Sequence, residues 1–247
     1  MPSDGLTGNS RRGLQLGALI GVCWLTTLIL GLKMELDQLH PLLITAWILT
    51  RSFLHTGLFI VAHDAMHNSL APEQTKINQR IGRVCLWLYA GLNYNACRVN
   101  HLRHHLMPES EADPDFCPVN NQALLAWLFR FLRNYLNPAQ VTRLAAVLIV
   151  LWLSAPASQN NTLAAICVTY LLPLLISTGQ LFLVGTYLPH RKDQTQKGDE
   201  ASIKSLDLHP LVSLLACYHF GYHREHHNYP KAPWFRLPEL RTSQFVY

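Results

Sequence analysis

Thirteen histidines stand in this 247-residue sequence, and eight of them fall in three five-residue windows. His63-Asp-Ala-Met-His67 has the spacing H-x-x-x-H, whereas His101-Leu-Arg-His104-His105 and His223-Arg-Glu-His226-His227 both read H-x-x-H-H. On a helix, residues three and four apart share a face, so each window can aim its imidazoles at one point. Neutral imidazole is a good ligand for iron, zinc, copper and nickel. Eight rings exceed what one tetrahedral zinc can use, so two metal ions are the economical solution. None of the windows reads H-E-x-x-H, so a zinc protease lacks its general base at the expected place.

Other residues qualify this picture. His190 closes Gly185-Thr-Tyr-Leu-Pro-His190 and is a candidate ninth ligand. His219 lies one turn before His223 and reads as structural. His55 and Arg51 share the stripe of His63 and His67, which suggests buried hydrogen bonding rather than ligation. Metal-bound imidazoles commonly pass their second N–H to a carboxylate. Asp64, Asp113, Asp115 and Glu225 are the candidates for that work, with Glu109 and Glu111 in the same acidic run as Asp113 and Asp115.

Those motifs must be held by apolar helices. Half of the sequence (49%) is hydrophobic and only 14% is charged, against about 25% charged in ordinary soluble domains. A net charge of +5 is too small to suggest a nucleic-acid partner. Six scattered cysteines form no C-x-x-C pair and imply neither a disulfide framework nor a zinc ribbon.

A membrane-spanning helix needs about 20 apolar residues. Four such spans are expected, at about 13–32, 42–62, 138–157 and 162–188, the last two divided by the turn Ser154–Thr162. Their order makes two hairpins, an all-α polytopic membrane protein of one domain, with a helical cap formed by 63–137 and 189–247. Lys and Arg concentrate in the N-terminal tail, in 63–143 and after Pro189. The positive-inside rule then puts both termini, the cap and all three histidine windows in the cytoplasm. The first apolar run is of spanning length without a clear cleavage site, so a retained anchor is expected rather than a signal peptide. Ile81–Ala96 and Gln122–Leu136 read either as helices in the membrane interface, the second with an aromatic face toward lipid, or as ordinary packed helices of the cap.

Three histidine boxes on four spans resemble the membrane di-iron superfamily of desaturases, hydroxylases and alkane monooxygenases. The flanking residues are more specific. His63-Asp-Ala-Met-His67-Asn-Ser-Leu-Ala-Pro72, Ala112-Asp-Pro-Asp-Phe116, Gly185-Thr-Tyr-Leu-Pro-His-Arg191, Phe220-Gly-Tyr-His-Arg-Glu-His-His-Asn-Tyr-Pro230 and Pro233-Trp-Phe-Arg-Leu-Pro238 resemble the bacterial β-carotene ketolases. Two departures, Asn68 in place of Gly and Phe235 in place of a second Trp, touch no proposed ligand. The resemblance implies that His63, His67, His101, His104, His105, His223, His226 and His227, with His190, bind two irons. It further implies O2 as co-substrate and oxidation of the carotenoid ring carbon C4 to a ketone: two hydroxylations, then loss of water. β-Carotene would give echinenone and canthaxanthin, and zeaxanthin would give astaxanthin.

The substrate would arrive from the bilayer of a bacterial inner membrane or thylakoid. No dinucleotide fingerprint, haem motif or iron–sulfur spacing is present in the sequence, so electrons must come from outside, and the resemblance implies a ferredoxin-like donor docking on the cytoplasmic face. Arg and Lys at 191–204 and 224–241 are its candidate contacts. A fatty-acyl desaturase or hydroxylase is the alternative on the same scaffold, disfavoured by these flanks and by the lack of a fused cytochrome b5-like segment. A metal transporter is the non-enzyme alternative, but its ionisable groups should lie near the bilayer midplane.

Overall fold

The computed structural model describes residues 10–118, 123–156, 161–191 and 203–243, and every regular element among them is helical. Helix α1 is Ser10–Gly31, α2 Pro41–Met66, α3 Thr75–Ala90, α4 Tyr94–Leu106, α5 Leu124–Tyr135 and α6 Pro138–Ser154. A continuous helix, α7, runs Thr162–His190. The short helices α8 (Pro210–Cys217), α9 (His223–Asn228) and α10 (Leu237–Ser243) complete the chain. Ala157, the middle of the Ser154–Thr162 turn, Gln122 and most of the basic stretch 191–204 lie outside the described residues.

Helices α1, α2 and α7 are long and apolar enough to cross a membrane. The third expected span differs. Helix α6 has 17 residues, about 26 Å at 1.5 Å per residue, and reaches spanning length only together with α5, from which it is bent by 85°. The bend follows from Asn137, whose side chain accepts from the Gln140 N–H, and from Pro138, which begins α6. Among the described residues, helices long and apolar enough to cross a membrane therefore number three, or four if the bent pair counts as one.

The first two helices run close to their expected bounds, but α2 continues past residue 62 to Met66. The first histidine window is thus the last turn of a spanning helix. Its position is fixed from outside. Tyr94 Oη donates to the Ala65 carbonyl (3.0 Å), Arg98 Nε to the Met66 carbonyl (3.1 Å), and the Trp234 N–H to Asp64 Oδ2 (3.0 Å). The chain leaves α2 through Asn68 at φ 56°. That left-handed conformation favours Gly and tolerates Asn best among other residues, which accounts for the departure noted in the sequence.

Within the bundle, Arg51 is fully buried. Its Nε donates to the Thr169 carbonyl (2.8 Å) and its Nη1 to the Trp24 carbonyl (2.6 Å) and Thr27 Oγ1 (2.8 Å). Thr169 lies in a π turn of α7, Cys167–Leu171, where the widened helix leaves carbonyls for other donors. His55 accepts from Trp24 Nε1 at Nδ1 (3.1 Å), which leaves its Nε2–H to donate to the Tyr89 carbonyl (2.7 Å). Both residues thus bind α1, α2, α3 and α7 to one another through hydrogen bonds.

Two expectations for the cap are corrected. Ile81–Ala96 is not one helix: α3 ends at Gly91, φ 66°, and Asn93 caps α4 by accepting from the Ala96 N–H. The lipid-facing reading of α5 fails for Trp127, Phe131 and Tyr135, which pack inward, whereas Phe129 is exposed. Trp127 is 1% exposed and packs edge-on to Phe182 and Tyr187, while Phe131 packs on Phe182 and Tyr135. Residues 127, 131 and 135 share a stripe at i, i+4 and i+8, and the acidic loop holds that stripe inward. The Asp115 carbonyl accepts from Trp127 Nε1 at 2.9 Å.

Replacing Arg51 by Leu removes its bonds to the Trp24 and Thr169 carbonyls and to Thr27 Oγ1. The expected cost is about 1–3 kcal/mol, read as a lower thermal unfolding midpoint in detergent. A variant as stable as the parent would show that these bonds hold nothing together.

Candidate metal centre

The three windows meet at one end of the bundle because four elements deliver them there. Helix α2 brings His63 and His67 on its last turn, and α4 brings His101, His104 and His105 on consecutive turns. Helix α9 brings His223, His226 and His227, and α7 ends on His190. Before α9 the chain turns sharply through Tyr218 and His219, at φ 48° and 63°. Gly185 lets that turn close, because a Cβ there would stand 2.5 Å from the Phe220 ring. Phe220 then packs edge-on to the His63 ring, centroids 4.7 Å apart.

The nine rings gather in two groups. One holds His63, His67, His101, His105 and His226, and the other His104, His190, His223 and His227, with the ligand atoms of each group all within 4.8 Å of one another. In the first, Nε2 separations are 2.7 Å for His67–His101, 3.2 Å for His101–His105, 2.9 Å for His105–His226 and 3.1 Å for His63–His226. In the second, His227 Nε2 is 3.0 Å from His104 Nε2 and 3.1 Å from His223 Nε2.

Hydrogen bonding cannot account for this geometry. A ring nitrogen carries one in-plane function, a lone pair or an N–H, and serves one partner. His101, His105, His226 and His227 each face two neighbouring Nε2 atoms. A cation between the rings uses every lone pair at once. With metal–nitrogen bonds of about 2.0–2.1 Å, two imidazoles on one ion stand about 3.0–3.4 Å apart, close to the spacings observed. The residues present therefore fit two metal ions, one per group. Neither nitrogen of the buried His190 has a hydrogen-bond partner among the described residues, which suits a metal-binding role.

Protonation points the same way. Burial, followed by repulsion from neighbouring imidazoles, holds His101, His223, His226 and His227 well below the usual histidine range. Burial takes His67 down to about 4 and His105 to about 2. These rings are neutral at neutral pH, the form that binds metal. His104 is the exception. Burial pushes it down, but Asp113, Asp115 and Glu109 outweigh that and raise it.

The carboxylates divide by role. Asp113 receives His104 Nδ1 at 2.9–3.0 Å and also accepts from the backbone N–H groups of Glu109 and Asp115, so it shapes the loop and aims the ring together. Asp64 Oδ1 is 3.5 Å from His63 Nδ1, and Glu109 Oε1 is 3.7 Å from His190 Nδ1. Asp115 faces the same region, but its side chain accepts from Tyr135 Oη (3.2 Å), and burial raises its carboxyl to about 6. Glu225 departs from expectation. Its bonds run to Ser205 Oγ and Arg241 Nη1 rather than to an imidazole, so it anchors α9 to α10 and to the segment before α8. Glu111 is exposed. His219 stacks on Tyr222 and Trp234, outside both groups.

Two adjoining hollows lie beside the histidines. The inner, about 50 Å³, is lined by His63, His101, His104 and His223 together with Asp115 and Tyr135. The outer, about 310 Å³, is apolar and lies among α2, α3, α5, α6 and α7. Phe59, Phe131, Tyr135 and Leu181 line both. Asn68 and Phe235 line neither, so the two departures lie away from any bound molecule there. Tyr135 escaped notice in the sequence. The signal was available in its i, i+4 relation to Phe131 and Trp127, but the stripe reads as lipid-facing without the loop that covers it.

Residues 39–245 match the family described as fatty acid desaturase. The sequence is 38% identical to a β-carotene ketolase from a Paracoccus strain, over 83% of this chain and 81% of that one. It is 34% identical to the β-carotene ketolase of a second Paracoccus strain, over 97% and 96%. A zeaxanthin 4-ketolase of Chlamydomonas reinhardtii is 32% identical over 88% of this chain and 48% of its own.

Removing the Asp113 carboxylate frees His104 to turn. Asp113→Ala is expected to weaken metal binding by about 10–100-fold, measured by competition with a chelator. Asp37→Ala, in the loop between α1 and α2, should leave that affinity alone, and equal behaviour of the two variants would remove the orienting role.

Proposed function

We infer that this chain, which belongs to the fatty acid desaturase family, is a carotenoid 4-ketolase, an oxygenase that turns the C4 methylene of a β-ionone ring into a ketone. The observation that carries the reading is the junction between the outer apolar hollow and the two imidazole groups, on a chain similar over most of its length to 4-ketolases. A long hydrocarbon soluble only in the bilayer needs such an arrangement. Its ring can lie in the outer hollow while the polyene stays in lipid, and Leu136 and Leu175 on the rim are themselves exposed.

In this reading His63, His67, His101, His105 and His226 hold one iron and His104, His190, His223 and His227 the other. Bound iron with O2 supplies the oxidising power that a C–H bond, inert to acid and base, requires. The protein does the rest. Asp113 fixes the His104 ring, and Phe59, Phe131 and Leu181 form a dry throat that admits the ring edge. The methylene becomes an alcohol and then a geminal diol, which loses water to give the ketone. The products from β-carotene are echinenone and canthaxanthin, and zeaxanthin leads to astaxanthin.

Four spans in two hairpins, with the cap and both termini in the cytoplasm of a bacterial inner membrane or thylakoid, accord with the Lys and Arg distribution and with the histidines at the helix ends. A ferredoxin-like protein supplies electrons at that face, where Arg224 and Lys231 are exposed.

Expression in bacteria that accumulate β-carotene should yield pigments with the masses of echinenone and canthaxanthin. His226→Ala should abolish them. Unaltered β-carotene and zeaxanthin from well-expressed, iron-loaded protein would overturn the reading and favour an acyl-lipid substrate.

A further inference from the structure

A ketolase must oxidise one carbon twice, so the alcohol formed first has to stay while the ketone has to leave. The lining of the two hollows bears on how. The polar groups of the outer hollow are already engaged. Tyr89 Oη pairs with Ser177 Oγ (3.2 Å) and Thr178 Oγ1 (3.1 Å). Gln140 donates to the Ala90 carbonyl and accepts from Arg143 Nη2 (3.2 Å). That hollow offers a ring only apolar contact at those places. The exception stands where the two hollows meet. Tyr135 lines both, and its hydroxyl donates to Asp115 Oδ1 at 3.2 Å, beside His63, His101, His104 and His223.

The direction of that bond matters. With its proton committed to Asp115, the Tyr135 oxygen has lone pairs to accept a hydrogen bond but no hydrogen left to give. Asp115 is held in turn, its backbone N–H donating to Asp113 Oδ1 (2.8 Å) and its carbonyl accepting from Trp127. The pair therefore presents a fixed acceptor at the throat. An unoxidised methylene gains nothing from it. An alcohol at the reacting carbon donates to it, and a ketone, which has no proton, cannot.

We propose that Tyr135, held by Asp115, is a positioning residue that retains the 4-hydroxy ring for its second oxidation and lets the 4-keto ring go. The proposal rests on the ketolase reading and explains how one site carries the reaction past the alcohol. It adds no chemical step. The oxygen and electrons of the second oxidation come from O2 and the same electron donor as the first.

The test uses iron-loaded protein in detergent or vesicles with a ferredoxin-type donor. Ring substrates with C4 unsubstituted and with a 4-hydroxyl are compared in the parent and in Tyr135→Phe. The ratio of the KM for the alcohol to the KM for the unsubstituted ring should rise about five- to tenfold in the variant, the worth of one hydrogen bond. In cells, the 4-hydroxy pigment should accumulate relative to the ketone. A merely structural role would raise both KM values together, and that outcome, or an unchanged ratio, overturns the proposal. The unaltered protein gives a second measurement that no folding defect can blur. A 4-keto ring should inhibit about five- to tenfold more weakly than a 4-hydroxy ring of nearly the same size. Equal inhibition overturns the proposal as well. If the parent oxidises neither ring, the ketolase reading has failed. A parent that makes ketone while Tyr135→Phe keeps the parent ratio leaves that reading standing and removes only the role of Tyr135.

Discussion

Nine imidazoles whose lone pairs converge in a buried space are the constraint on which the rest of this structure depends. Rings packed with Nε2 atoms 2.7–3.2 Å apart repel unless something positive lies between them. Without a cation such packing is costly and must be imposed by rigid surroundings, whereas a bound metal would gain from every ring at once. That asymmetry explains why each histidine rides on a helix. A helix fixes the direction of its Cβ, so two rings four residues apart stay on one side whether or not an ion is present. It also explains the neutral state of most of the rings, since a dry pocket disfavours imidazolium.

The rigidity is supplied at two levels. Far from the metals, Arg51 and His55 join the spanning helices through backbone carbonyls, using donors that would be expensive in hydrocarbon if unpaired. Near the metals, the acidic loop does the corresponding work. Asp113 bonds His104, Glu109 N–H and Asp115 N–H, and the Asp115 carbonyl receives Trp127. One short loop thereby couples the imidazoles to α5, whose inward stripe forms a wall of both hollows. The placing of the imidazoles and the shape of the hollow wall are thus set by the same few hydrogen bonds.

Chemical selectivity divides along the same lines. The histidines and bound metal would supply oxidising power without regard to which C–H bond is offered. Choice of substrate then falls to the outer hollow, which is large enough for a small-molecule site and nearly free of uncommitted polar groups. At the inner end Tyr135 and Asp115 bring in a polar acceptor. A site built in this order accepts hydrocarbon first and registers oxygen only after it has been introduced.

The sequence alone determined the helical class, the long apolar helices and eight of the nine residues of the two histidine groups, with His190 as a candidate ninth. Each of these is a local property: apolar run length, i and i+4 spacing, and eight histidines in fifteen window positions. The departure at Asn68 was legible too, and its left-handed backbone supplies the reason. Tertiary structure decided how the histidines are shared out. His104 leaves its neighbours His101 and His105 to join His190, His223 and His227, a division that depends on how α2, α4, α7 and α9 are placed around the site. It also decided that Glu225 serves Arg241 and Ser205, that Ile81–Ala96 breaks at Gly91, and that Trp127, Phe131 and Tyr135 face inward. An apolar or aromatic stripe has the same pattern whether lipid or protein covers it, and a carboxylate beside a histidine in sequence can turn to any partner within reach. Only the packed chain, in which Asp113 and Asp115 hold one loop against both α4 and α5, selects among those partners.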